Sequence, residues 1–170
     1  MCLWFGVAAP CVAAQTADPR PAVAVLNLRF DGAHANVLER GDTAVVAAAT
    51  SKLLATLQAS DRVTVIDSTK LAAAVAVREA DGNPCDEGCA LAVGRELGAR
   101  WVAKGTVTKT SNLVWLLVAQ LYDVASGHAV LADSYELKGD ATRMAPAGAR
   151  VFGERIERAI ATTPAAPGPP

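Results

Sequence analysis

The chain has 170 residues, 52% hydrophobic and 19% charged, which is enough for one well-buried core and too short for two comfortable domains. Sixteen basic residues against 17 acidic ones leave a net charge of −1. That balance provides no electrostatic footprint for nucleic acid or for an anionic membrane surface, so neither is an expected partner.

The first 14 residues, M-C-L-W-F-G-V-A-A-P-C-V-A-A, form an apolar run ending on Val12-Ala13-Ala14 before polar Gln15, the small-residue pattern that signal peptidase accepts. They read as the end of a secretory signal cleaved near Ala14, and the mature protein is expected in the periplasm or outside the cell. No Lys or Arg precedes Arg20, so the positively charged leading region is missing and the true start is expected upstream of Met1. Lipidation at Cys11 is disfavoured by Pro10, which stands where lipoprotein signals carry a small residue. No later run reaches the roughly 18 to 20 apolar residues that span a bilayer, so no stable span is expected after cleavage.

Residues 15–21 read as a linker, and a single α/β domain is expected over residues 22–162. Residues 22–30, A-V-A-V-L-N-L-R-F, make a first strand, expected to be central. From about Glu39 to Ala59 the residues Val46, Ala49, Leu53 and Leu57 recur at helical spacing. Val63 to Ile66 is a short buried-type strand, after which Asp67 and Ser68 can cap a second helix running through Glu79. The turn formers Asp81-Gly82-Asn83-Pro84 end it. A third helix, from about Glu87 to Leu97, stops at Gly98. Trp101 to Thr108 and Leu113 to Asp123 form a hairpin, and Val130 to Lys138 adds a third antiparallel strand in which Leu131, Tyr135 and Leu137 share one face. Ala149, Phe152, Ile156 and Ile160 mark the buried stripe of a last helix, and residues 163–170 are too rich in Pro and Gly to fold. The expected fold is α/β, a mixed five-stranded sheet with helices packed on it, in the order β-α-β-α-α-β-β-β-α.

Two cysteines remain after cleavage, Cys85 and Cys89. An oxidising compartment would pair them. The C-x-x-x-C spacing is wrong for a thioredoxin-type centre, and a zinc site would need ligands beyond the remote His34 and His128. A structural disulfide, inert thiols, and a metal or redox role all stay open at this level, in that order of preference.

A search for catalytic chemistry yields little. There is no glycine-rich phosphate loop and no nucleophile elbow, and the two histidines have no carboxylate partner at a motif spacing, so both read as surface loop residues. No enzyme activity, cofactor or metal is expected. Asn27, Arg29 and Asp31 alternate along the end of the first strand, where ligand crevices of open α/β sheets lie, and they are the first choice for a binding site against the alternative of a solvated strand end. Lys109, Ser111 and Asn112 at the hairpin turn are a second group. The strand 113–122 is apolar on both faces, with Val114, Leu116, Val118 and Tyr122 on one, and Leu113, Trp115, Leu117, Ala119 and Leu121 on the other. Either helices cover both faces or one face is an association surface, with Trp115 as an aromatic anchor.

The segments V-A-V-L-N-L, C-x-x-x-C-A-L-A-V-G-R-E-L-G-A-R-W-V, K-G-T-V-T-K-T-S-N-L-V and L-Y-D-V-A-S-G-H together resemble an uncharacterised family of exported bacterial proteins whose shared domain has no assigned function. More distantly they look like the amino-terminal α/β domain of the Tol-Pal β-propeller protein and the periplasmic domain of the curli-secretion channel subunit. The resemblance covers roughly residues 21–160 and rests on small residues and turn formers, so it implies fold and compartment. The chain lacks the β-propeller and pore-forming segments of those relatives, so their roles do not transfer; with no catalytic motif, the reading is an exported accessory or protein-interaction domain without catalytic activity, with an envelope or periplasmic protein as partner, and the two apolar faces of strand 113–122 allow pairing with a second copy through the sheet face. The alternative is a periplasmic small-ligand or cofactor-binding protein using the two residue groups above.

Overall fold

The computed structural model describes residues 20–30, 39, 41–111 and 113–163. The expectations for residues 1–14, Cys11, Asp31, His34, Asn112 and the Pro-rich tail lie outside those residues. The described elements are β1 (Ala22–Val25), β2 (Arg29–Phe30), α1 (Asp42–Gln58), β3 (Thr64–Val65), α2 (Ser68–Arg78), α3 (Glu87–Glu96), β4 (Trp101–Lys109), β5 (Val114–Asp123), β6 (Ala129–Lys138) and α4 (Ala141–Thr162).

The sheet is mixed, with strand order β3-β1-β4-β5-β6. β3, β1 and β4 run parallel, and β4, β5 and β6 form the expected antiparallel meander. β1 is interior and buries both faces: Val23 and Val25 enter one core, Ala24 and Leu26 the other. That is why its sequence is continuously apolar. The one difference in strand count is that the first strand is split. Both pieces lie parallel to β4, Val23 opposite Trp101 and Arg29 opposite Thr106, but the chain leaves the ladder between them. There the Leu28 amide donates to the Thr50 hydroxyl of α1 (3.0 Å), and that hydroxyl donates to the Val46 carbonyl (3.1 Å). A buried backbone donor that leaves the sheet needs another acceptor, and Thr50 supplies it.

The helices divide between the faces as the two crossovers require. Passing from β1 to β3 and then back over β1 to β4 moves in opposite directions, so connections of one hand put α1 on one face and α2 with α3 on the other. α1 and α4 together cover the first face. Val45, Val46, Ala49, Leu53 and Leu57 of α1 and Ala149, Phe152, Ile156 and Ile160 of α4 meet Trp101, Val107, Trp115, Leu117 and Leu121 in the larger core. α2 and α3 form a smaller core with Ala24, Leu26, Val102 and Val124.

Local chemistry sets the helix ends. The Asp67 carboxylate accepts from the amides of Thr69 (3.1 Å) and Lys70 (2.9 Å), capping α2, and Asp86 accepts from Cys89 N (2.8 Å), capping α3. Gly98, at φ 67°, turns the chain out of α3 into β4 in a conformation a β-carbon would strain. Cys85 and Cys89 form a disulfide across the start of α3, with Cα atoms 5.2 Å apart.

Candidate functional site

A crevice opens where β1 ends, between α1 and α2. Its larger chamber, about 760 Å³, is lined by Leu28, Phe30, Val46, Leu54 and Ala72, with hydroxyls from Thr43, Thr50, Ser51, Ser68 and Thr69. A smaller chamber of about 200 Å³ runs along α2 past Leu71 and Val75 to Arg29 and Glu79. Asn27, Ser68 and Ala72 line both chambers and form the waist between them. The structure thus places Asn27 and Arg29 in one crevice, at the carboxyl end of the first strand.

Arg29 reaches its site already paired, because its guanidinium donates to Glu79 at the end of α2. The same Glu79 oxygen accepts the Cys85 amide (2.6 Å), so the disulfide loop, the end of α2 and the end of the first strand share one carboxylate. The pair is partly exposed, with 39% of the Arg29 side chain open to solvent.

Lys109 and Ser111 belong elsewhere. Ser111 is an exposed turn residue whose hydroxyl accepts the Val114 amide (3.1 Å). Lys109 is buried, with its ammonium 2.9 Å from Asp42 and 3.6 Å from Glu39, and it lies over the Trp115 ring at 5.6 Å. These groups border a separate hollow of about 200 Å³ beside Asp140 and Thr142 at the start of α4. The first turns of α1 separate it from the crevice, with Thr43, Val46 and Ala47 facing the crevice and Asp42 and Val45 facing the hollow. The two residue groups read from the sequence therefore do not form one site. His128 is exposed, and among the described residues no three His, Cys, Asp or Glu side chains converge as metal ligands.

The expectation of Trp115 on an association face needs correction. Trp115 is only 2% exposed, packed beneath α1 and α4 and edge-on to Phe30 with ring centroids 6.0 Å apart. The open face is the opposite one. There α2 and α3 cover the β1 side of the sheet, and Tyr122 lies beneath α3 with its hydroxyl donating to Glu87 (3.0 Å). Val114, Leu116 and Val118 remain half-buried between Thr106 and Thr108 of β4 and Ser134 and Glu136 of β6. Helices on both faces are present, but they cover the second face incompletely.

Sequence reading missed Ser68, Thr50, Ser51 and Glu79. One signal was available: the small residues Ala47, Thr50 and Ser51 of α1 and Ser68 and Ala72 of α2 all line the crevice, and small side chains leave space between the elements that carry them.

A family profile matches residues 21–152. The chain belongs to DUF3280, a family described as protein of unknown function (DUF2380). No curated protein sequence matches it significantly. Among solved structures, this DUF3280 chain is similar to TolB from Acinetobacter baumannii, with a TM-score of 0.56 and 14% identity over 87% of this chain and 30% of that one. It is also similar to the hypothetical protein CT253 from Chlamydia trachomatis, with a TM-score of 0.54 and 12% identity over 85% of this chain and 99% of that one. The C-terminal domain of LpoB from Escherichia coli matches with a TM-score of 0.49 and 22% identity, over 72% of this chain and 87% of that one. The DUF3280 chain thus spans less than a third of TolB. What the first two likenesses show is a shared fold.

Proposed function

We propose that this DUF3280 protein is an exported accessory domain of the cell envelope, without catalytic activity, that binds another protein through the open half of its sheet. The observation that carries the reading is the row Val114, Leu116 and Val118 along the middle of three adjacent strands, which no described helix covers. Fully burying such side chains is worth about 1.5–3 kcal/mol each, and these have only part of that from the fold itself.

The geometry suits one occupant. Strands lie about 4.8 Å apart and a helix is about 10 Å wide, so a single helix laid on β5 spans the exposed strip. Thr106, Thr108, Ala132 and Ser134 on either side are small enough to let it approach. The rim carries Lys104 on one side and the Glu136–Lys138 pair (3.1 Å) on the other, so recognition is by apolar contact and not by a field of one sign. Burial lowers the Lys104 pKa, and the adjacent carboxylates of Asp86 and Glu87 act against that shift. An amphipathic helix of an envelope protein, seated there, would complete a third layer. Export is supported by the apolar leader ahead of Gln15 and by the Cys85–Cys89 disulfide, which persists in an oxidising compartment.

The test is site-specific photocrosslinking in the native periplasm from Thr106 and Ser134. The expected product is a single partner whose crosslinked peptide is an amphipathic helix, lost when Val118→Glu is added to a chain that keeps its melting temperature. Crosslinks only to a second copy, or capture unaffected by Val118→Glu, would overturn the reading.

A further inference from the structure

The crevice between α1 and α2 is independent of the open sheet face, and its lining defines a chemistry of its own. Its larger chamber falls within the range of small-molecule sites, roughly 300–1,000 Å³, and among the described residues its lining contains no charged side chain. Against its buried wall of Leu28, Val46 and Thr50, a charged group would lose hydration that no described charge of the lining compensates. The cation that lines the smaller chamber among the described residues, Arg29, is already paired there with Glu79. An anionic ligand would have to displace that carboxylate, which also holds the Cys85 amide.

The waist is different. Among the described residues, the Asn27 carboxamide and the Ser68 hydroxyl have no hydrogen-bond partner, yet both line the two chambers. Thr50, by contrast, has its hydroxyl committed to Leu28 and Val46. The exposed waist thus holds the one carboxamide of the described lining beside a hydroxyl, while the larger chamber sets the hydroxyls of Thr43, Ser51 and Thr69 along its rim against an apolar wall of Leu28, Phe30, Val46 and Leu54. We infer that this crevice binds an uncharged single-chain amphiphile, an alcohol or amide of medium chain length, with its apolar chain between α1 and α2 and its polar head on Asn27 and Ser68.

The probes are 1-decanol, decanoate and decylammonium, which share one chain and differ in charge. Each is titrated into the isotopically labelled full chain at pH 7, below its self-association concentration, and followed by amide chemical shifts. Decanol is expected to bind saturably with shifts centred on Asn27, Ser51, Ser68 and Ala72, and the two charged probes at least tenfold more weakly. Asn27→Ala should weaken decanol about tenfold. Ala72→Trp and Ser51→Trp fill the chamber from opposite walls at exposed positions, and each should abolish saturable binding without lowering the melting temperature. Equal affinity for all three probes, unchanged binding in both Trp variants, or no saturable binding to decanol's solubility limit would each overturn the inference. None of these outcomes bears on partner capture through Val118, so the two proposals fail separately.

Discussion

Lys109 is a side chain whose environment reverses the reading its sequence neighbours invite. In K-T-S-N, next to a hairpin turn, a lysine looks like a solvent-exposed ligand contact. Yet position 109 has the parity of Trp101, Ala103 and Val107, all buried on the α1/α4 face, and the side chain follows that face inward to 2% exposure. The alternation was legible. The partner was not, because Asp42 lies 67 residues earlier and joins it only when α1 packs on the sheet. Removing Asp42 leaves the buried ammonium only the longer contact to the exposed Glu39 carboxylate, whereas removing both Asp42 and Lys109 leaves an apolar contact. Asp42→Ala is therefore expected to destabilise the fold by about 3–5 kcal/mol, and Asp42→Ala with Lys109→Met by distinctly less, measured by urea unfolding. Equal losses in the single and double variants would show that the ion pair is not what holds that corner.

At the scale of the element, strong local signals gave good boundaries and weak ones did not. α2 and α3 start where Asp67 and Asp86 supply caps, and α3 is followed by Gly98, as turn and cap chemistry requires. The split between β1 and β2 was hidden, because Leu26-Asn27-Leu28 continues an apolar strand pattern and only the tertiary acceptor Thr50 makes the departure affordable. The first turns of α4 were hidden by Pro146, which stands inside the helix at its sixth residue. α3 offers an internal comparison between two glycines. A β-carbon at Gly94 would come within 3.0 Å of both Val102 of β4 and Val124 just past β5. One at Gly88 would meet only the Asp86 carboxylate at 3.5 Å, an ordinary contact. Gly94→Ala should therefore cost about 1–3 kcal/mol by overpacking. Gly88→Ala should instead stabilise by about 0.4–1 kcal/mol, by restricting the unfolded chain. Opposite shifts in melting temperature, followed by circular dichroism, are the expected result, and a Gly94→Ala protein as stable as the parent would mean that α3 sits farther from the sheet.

For the molecule as a whole, the sequence conveyed the layers better than the site, since layers follow from periodicity while the crevice depends on which small residues of α1 and α2 face one another. The two tyrosines test whether both layers close as described, because each lies under a different one. Tyr122 is on the α3 side and donates to Glu87; Tyr135 is on the α4 side and donates to Asp133 (2.7 Å), which also pairs with Arg155 of α4 (3.0 Å). Burial, reinforced by the neighbouring carboxylate, pushes the Tyr122 phenol up to about 12 and raises that of Tyr135 well above its ordinary value of 10. A phenol whose pKa is raised by folding contributes stability that is fully present below pH 10 and is lost as pH climbs toward the folded-state value. Phenolate absorbance in the native protein should therefore stay flat through about pH 10.5, and in guanidinium it should rise with a midpoint near the ordinary value. Above that range, ionisation and unfolding should proceed together, with the far-ultraviolet signal lost as phenolate appears. One tyrosine titrating near pH 10 in the folded chain would identify the open layer: Tyr122→Phe would remove the early step if α3 stands off the sheet, and Tyr135→Phe would remove it if α4 does.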